Sequence, residues 1–360
     1  MANLRDRLKR IQELKKTEPP KAEPILDDDT KLTEKGWVTC AYKVLKKEVA
    51  VASPYKSMKD LPPALAIVIP DLAGRDLPAL EDFIFFDLET TGLSGGAGTV
   101  AFLAAFGKVL DGTLRITQYL LLDYPGENDF LENITGEFKN EKSVIVSYNG
   151  KCFDSQILKT RCLMNRIKPP VYRHADLLPP ARRLWKSLIH DCNQASVETQ
   201  IPGLDRTGDI PGSLAPEIWF EFLKTGKTQR LLGICDHNKA DIAGLAAILA
   251  AMISIAANPL DIKKKRYDLE RLALYWRQYL RRSELSDNDI QETGNKLLRL
   301  AAEKNHLRAV YVYGYDQMRN GNYKEALEYT SRGLKLFPQE TSEYEKLLRR
   351  KIRLEKKINN

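Results

Sequence analysis

From Phe83 to Glu89 the chain reads FIFFDLE: four large apolar residues, a carboxylate, a leucine and a second carboxylate. An unbroken apolar run of this length suits a strand buried on both faces. Residues two apart on a strand share a face, so Asp87 and Glu89 leave the end of that strand in the same direction. Carboxylates in such a place are costly unless water, a cation or a metal ion satisfies them. Any fold built round this strand must keep one of its ends polar. Alone, the pair also has a local explanation, with one carboxylate capping the turn and the other solvated.

The flanking residues predict how the strand is housed. TVAFLAAFGKVL and TLRITQYLLLD read as two more strands joined by an Asp111-Gly112 hairpin. A helix follows from Glu127, then a strand over Ser143–Asn149, a helix over Phe153–Asn165 and a short fifth strand over Val171–Asp176. From Pro179 the patterns are helical, up to a long stretch over Asp236–Ala257. A meander followed by strands alternating with helices predicts an α/β fold with a mixed five-stranded sheet flanked by helices. Residues 81–258 form this unit. Residues 1–80 read as an N-terminal basic helix (Leu4, Leu8, Ile11 and Leu14 on one face), a Pro-rich linker and an extension with a strand or two between Trp37 and Ala52. Residues 259–360 are helical, and AVYVYGYDQMRNGNYKEALEYTSRGLKLFP resembles one tetratricopeptide unit. A generic helical hairpin packed on the main domain explains that segment equally well.

Composition narrows the function classes. The 360 residues are 43% hydrophobic and 29% charged, enough for a sizeable core, and the net charge of +8 favours phosphate-rich partners. Five scattered cysteines form no CxxC pair, which argues against a structural zinc site and suits a reducing compartment. The charged N-terminus has no apolar signal region. The most apolar stretch, Ile242–Ala257, is shorter than the ~20 residues of a membrane span. The expectation is a cytoplasmic protein that engages no membrane.

Two further carboxylate motifs join the first. Asn149-Gly150-Lys151-Cys152-Phe153-Asp154 leads from the fourth strand into a helix, which aims Asp154 at Asp87 and Glu89. His237-Asn238-Lys239-Ala240-Asp241 places His237 and Asp241 four apart on one helical face. Each has an ordinary local explanation at a helix start. In order and spacing, DLETTG, NGKCFD and HNKAD together resemble the DEDD-type 3′→5′ exonucleases of the RNase H-like superfamily. Within it the chain looks most like the bacterial YprB ribonuclease-H-like family, to which SVETQIPGLDRTGDIPG before the third motif is also similar.

The resemblance implies that Asp87, Glu89, Asp154 and Asp241 ligate two Mg²⁺ or Mn²⁺ ions, hard cations that prefer oxygen donors. It implies that His237 is the general base, and that Thr90, Thr91, Gly92 and Asn149 touch the terminal nucleotide of single-stranded DNA or RNA. Without metal, the carboxylates should repel one another and shift upward in pKa. One departure bears on His237. His-type members keep four residues between the base and the last Asp and Tyr-type members three, whereas this chain has His with three. One residue turns a helical position by about 100°. The competing class is an RNase H-like nucleic-acid-binding or scaffold protein with weak or no nuclease activity, using the C-terminal helices to dock a protein partner.

Overall fold

A computed structural model describes residues 29–55, 61–74, 76–92, 96, 98–138, 142–264, 266–282 and 287–359. The basic amphipathic segment and all of the Pro-rich linker but its last residue, Asp29, lie outside these residues; Asp29 opens α1 (Asp29–Glu34). The strands are β1 (Val38–Ala41), β2 (Val44–Ala52), β3 (Phe83–Thr90), β4 (Ala101–Leu110), β5 (Thr113–Leu121), β6 (Val144–Ser147) and β7 (Arg173–Asp176). They form one mixed sheet in the order β1-β2-β5-β4-β3-β6-β7, with β3, β6 and β7 parallel and the other neighbours antiparallel. The five expected strands are all present, but the sheet has seven. The extension joins it because β2 pairs with β5 over nine residues, from Val44↔Leu121 to Ala52↔Thr113. That ladder satisfies an edge whose N–H and C=O groups would otherwise be unpaired. The β4–β5 hairpin turns at Asp111 (φ 51°) and Gly112 (φ 71°), the pair of positive φ values a two-residue turn of this hand needs.

The helices up to the end of the sheet unit are α2 (Leu65–Val68), α3 (Glu127–Gly136), α4 (Asp154–Met164), α5 (Leu178–Trp185), α6 (Gln194–Gln200), α7 (Ala215–Thr225) and α8 (Gln229–Ala257). Side chains of β3 alternate between two cores. Ile84, Phe86 and Leu88 pack with α3, α4 and α7, while Phe83 and Phe85 pack with Ile242, Leu245 and Leu249 of α8. α8 runs for 29 residues and is long and apolar enough to cross a membrane by length and composition. Here its apolar half lies against β3, β4 and α2, and Ile242, Leu245 and Ile248 are fully buried. It also starts seven residues before the expected Asp236, so His237 and Asp241 sit more than a turn inside it.

The chain ends in an all-helical region of α9 (Leu269–Arg282), α10 (Asn288–Glu303), α11 (Leu307–Arg319), α12 (Tyr323–Leu336) and α13 (Ser342–Asn359). Its apolar side chains, including Leu272, Trp276 and Leu297, continue the same core that holds Phe85 and α8. Arg183 bridges the two regions. Its guanidinium lies 3.5 Å over the Tyr275 ring and donates to the Val68 carbonyl.

The close approach of α8 to the sheet depends on Gly107 of β4. A Cβ there would stand 2.4 Å from Ile242 Cγ2 and 3.3 Å from both Phe85 Cβ and Leu114 Cδ1. Overpacking a tight core costs about 1–3 kcal/mol. Gly107→Ala should therefore lower the unfolding free energy by that amount, read as a lower urea midpoint with an unchanged slope.

Candidate active site

Beyond Phe85, the face of β3 that packs on α8 turns polar. Asp87 and Glu89 follow Phe83 and Phe85 at two-residue steps, opposite Ala105 and Leu103 of β4. α8 changes character at the same level, presenting His237, Asn238 and Asp241 where further along it presents Ile242 and Leu245. Asn238 is fully buried, donates to Asp87 Oδ2 at 2.7 Å and accepts from Gln118 Nε2 at 3.0 Å. The same Gln118 amide donates to the Cys235 carbonyl at 2.8 Å, so the orientation of Asn238 is fixed from β5.

Asp154 arrives on the first residue of α4 and is buried, 5% exposed. The preceding turn is tightly built. Asn149 takes a left-handed φ of 66°, which asparagine tolerates better than most residues. Asp176, at the end of β7, accepts from the Asn149 N–H at 2.8 Å and the Lys151 N–H at 3.2 Å. Gly150 has no room for a side chain: a Cβ would lie 2.4 Å from Ser147 Oγ and 3.0 Å from Asp154 Oδ2.

The third wall comes from α6 and the loop after it. Arg206 bonds Glu198 Oε2 through Nε at 2.7 Å, Asp209 Oδ2 through Nη1 at 2.8 Å and Asp241 Oδ1 through Nη2. Gln194 donates to the Asp241 carbonyl at 2.8 Å. His237 Nδ1 lies 2.8 Å from Asp209 Oδ2, and its Nε2 lies 3.3 Å from Asp241 Oδ2 and 4.0 Å from Glu89 Oε1. Two helix-interior glycines of α8 let this wall come close. A Cβ on Gly244 would overlap the Glu198 carboxylate, and one on Gly233 would overlap Ile210.

Asp87, Glu89, Thr90, Asn149, Asp154, His237 and Asp241 together line an open cavity of about 250 Å³. Thr91 and Gly92 are not among these lining residues and help to form the β3–β4 turn. Thr91 exchanges hydrogen bonds with Val100 through its N–H and its Oγ1, and the Gly92 carbonyl accepts from Thr90 Oγ1. Residues 93–95 and 97 of the Gly-rich loop lie outside the described set.

The electrostatics follow from crowding acids where water is scarce. Burial first, then the charges of Asp241, Asp154 and Glu89, holds Asp87 well above the usual carboxylate range. Burial, Asp241 and Asp154 do the same to Glu89. Asp154 is pushed up to about 7 by burial and then by Asp176. Asp241 is also raised by burial, though His237 and Arg206 work against the shift. Burial disfavours the charge on Arg206 itself, yet Asp241 and Glu198 hold its pKa above the ordinary value. The upward shifts match the sequence expectation, with burial rather than mutual repulsion as the larger cause. Sequence reasoning missed Asn238, Glu198, Arg206 and Asp209. Asn238 lay inside the third motif, and the others lay in the SVETQIPGLDRTGDIPG segment, whose three acids and one arginine were the available signal.

Residues 84–253 match the model of the RNase_H superfamily. Over 174 residues the chain is 36% identical to "Uncharacterized protein YprB" of Bacillus subtilis (strain 168), covering 48% of this chain and 42% of that protein, so it spans less than half the relative's length. Among solved structures, one of exonuclease I aligns with a TM-score of 0.34 at 16% identity, covering 55% of this chain and 43% of that one. E. coli exonuclease I in complex with a dT13 oligonucleotide aligns with a TM-score of 0.29 at 18% identity, covering 44% and 45%. The segment from residue 84 to residue 253, with the acidic cavity inside it, is an RNase H-like domain similar in sequence to YprB.

Proposed function

We propose that this domain is a metal-dependent 3′→5′ exonuclease that hydrolyses phosphodiester bonds at single-stranded DNA or RNA ends. The observation that carries the reading is the convergence of three distant sequence motifs on one open cavity, with Asp87, Glu89, Asp154, His237 and Asp241 in its wall. The donor set fits a hard divalent cation: the four acids offer only oxygen, and two of them, Asp87 and Asp154, have no basic partner among the described contacts. Asp87, Glu89, Asp154 and Asp241 would hold two Mg²⁺ or Mn²⁺ ions. When bound, such a pair supplies Lewis acidity and charge stabilisation for phosphoryl transfer. His237 accepts the proton of the attacking water at Nε2, the ring nitrogen that faces Glu89 and Asp241. Thr90 and Asn149, at the cavity wall, hold the terminal nucleotide. The 3′→5′ polarity follows from the order of the motifs and their resemblance to the DEDD pattern.

Asp87→Asn or Asp154→Asn should abolish Mn²⁺-dependent shortening of a 5′-labelled single strand while the circular dichroism spectrum stays unchanged. Full turnover by either variant rejects the site. Blocking the substrate's 3′ end should protect it from the wild-type protein, and degradation from the 5′ end would reverse the assigned polarity. Phosphate contacts should also make single-strand affinity fall as salt rises.

The raised carboxyl of Asp154 gives a second handle. An unfolded Asp titrates near ~3.9, so the folded metal-free protein binds this proton more tightly than the unfolded chain. The resulting stability is fully present below that pH and is lost as the pH rises through about 7. The melting midpoint of the metal-free wild type, taken relative to Asp154→Asn, should fall between pH 4 and pH 7. Saturating Mn²⁺, which competes with that proton, should raise the wild-type midpoint more at pH 7 than at pH 5.

A further inference from the structure

His237 and Asp241 lie one helical turn apart on α8, a spacing that stacks the ring along the same face as the carboxylate. With no other restraint the imidazole would be free to pair with Asp241 through either nitrogen. The structure supplies a restraint from a separate element. Asp209, on the loop between α6 and α7, meets His237 Nδ1 at 2.8 Å. A carboxylate accepts and cannot donate, so this contact places a ring proton on Nδ1 and turns Nε2 toward Glu89 and Asp241.

The loop that carries Asp209 is itself pinned. Arg206 spans Asp209 and Glu198 and reaches Asp241, so one guanidinium ties the loop to α6 and α8. The Leu204 N–H bonds the Glu198 carbonyl at 3.0 Å, closing the start of the loop against α6. On the far side, Gly212 keeps the space beside Nε2 clear, since a Cβ there would stand 2.8 Å from that nitrogen.

We infer that Asp209 is the positioning residue that sets the tautomer and direction of His237, and that Arg206 locks the pair onto the carboxylate cluster. Asp209 thereby restores, from a loop, the aim that the shortened His–Asp spacing does not provide. The inference deepens the exonuclease reading and rests on it for its kinetic consequence, while the ring geometry stands independently.

The test uses the full-length chain and a 5′-labelled single strand with Mn²⁺. Loss of a general base costs ~10²–10⁴-fold, so His237→Ala should lose at least ~100-fold in kcat, and Asp209→Asn at least ~10-fold with little change in KM. Asp209→Glu should recover part of the loss. Because Asp209 acts through the ring, adding Asp209→Asn to His237→Ala should cost less than about 2-fold more, the non-additivity expected of a coupled pair. Two-bond ¹H–¹⁵N spectra of the metal-free protein should show His237 protonated at Nδ1, and Asp209→Asn should lose that pattern. Wild-type kcat in Asp209→Asn, a fully additional loss in the His237→Ala background, or weakened Mn²⁺ binding in Asp209→Asn would each overturn the inference. If the folded wild type binds Mn²⁺ but shortens no strand, the exonuclease reading fails. The tautomer spectra then decide: the Nδ1–H form, lost in Asp209→Asn, upholds the positioning role, and any other form ends it.

Discussion

Carboxylates from β3, α4, α6, α8 and the loop before α7 converge on one end of the central strand, and every other feature of the site answers to that concentration of charge. In a medium poorer in water than the surface, an acid must be neutralised, hydrogen-bonded or paired. The fold uses all three. Asp87 takes a buried amide from Asn238, Asp241 takes Arg206, and Asp154 is raised toward neutrality beside Asp176. The apolar half of α8 anchors this arrangement by gripping Phe83 and Phe85, so one helix both seals the core and holds three polar side chains over the strand end.

The close fit of α8 has a local cost that the packing offsets. Glycine in a helix interior is about 1 kcal/mol less favourable than alanine, yet Gly233 and Gly244 both occupy such positions. Each marks a place where another element presses on the helix, Ile210 at one and the Glu198 carboxylate at the other. Together with Gly107 beneath Ile242, they set the distances at which the sheet, α8 and α6 can bring their acids together.

Much of this was legible in the sequence because it is local. The FIFF run, the Asp-Gly hairpin and the three carboxylate motifs each sit within a few residues, and strand and helix periodicity carried the placement of β3 to β7. What was not legible depends on partners far along the chain. β2 belongs to the sheet because it matches β5, about seventy positions away, and nothing within Val44–Ala52 names that partner. α8 begins seven residues before the expected Asp236, and Gly233 in that front segment is a contact point against Ile210. Arg206 and Asp209 look like ordinary loop charges until the loop folds back over α8. Thr91 and Gly92 carry a role that the motif does not announce: both help to shape the β3–β4 turn.

The core that contains Phe85 and α8 does not stop at the end of the RNase H domain. It runs on through Tyr267, Leu272 and Trp276 to Leu297 and Tyr313, with Trp185 donating to the Arg266 carbonyl across the junction. Two regions that share one apolar interior are not energetically independent, because opening one exposes surface on the other. The cooperative unit is thus larger than the RNase H-like domain. Loosening α9 or α10 would be felt along α8 as a loss of support beneath Ile242, and a disturbance in the helical tail would reach the acidic cavity as weaker confinement of its ligands rather than as any change in their identity.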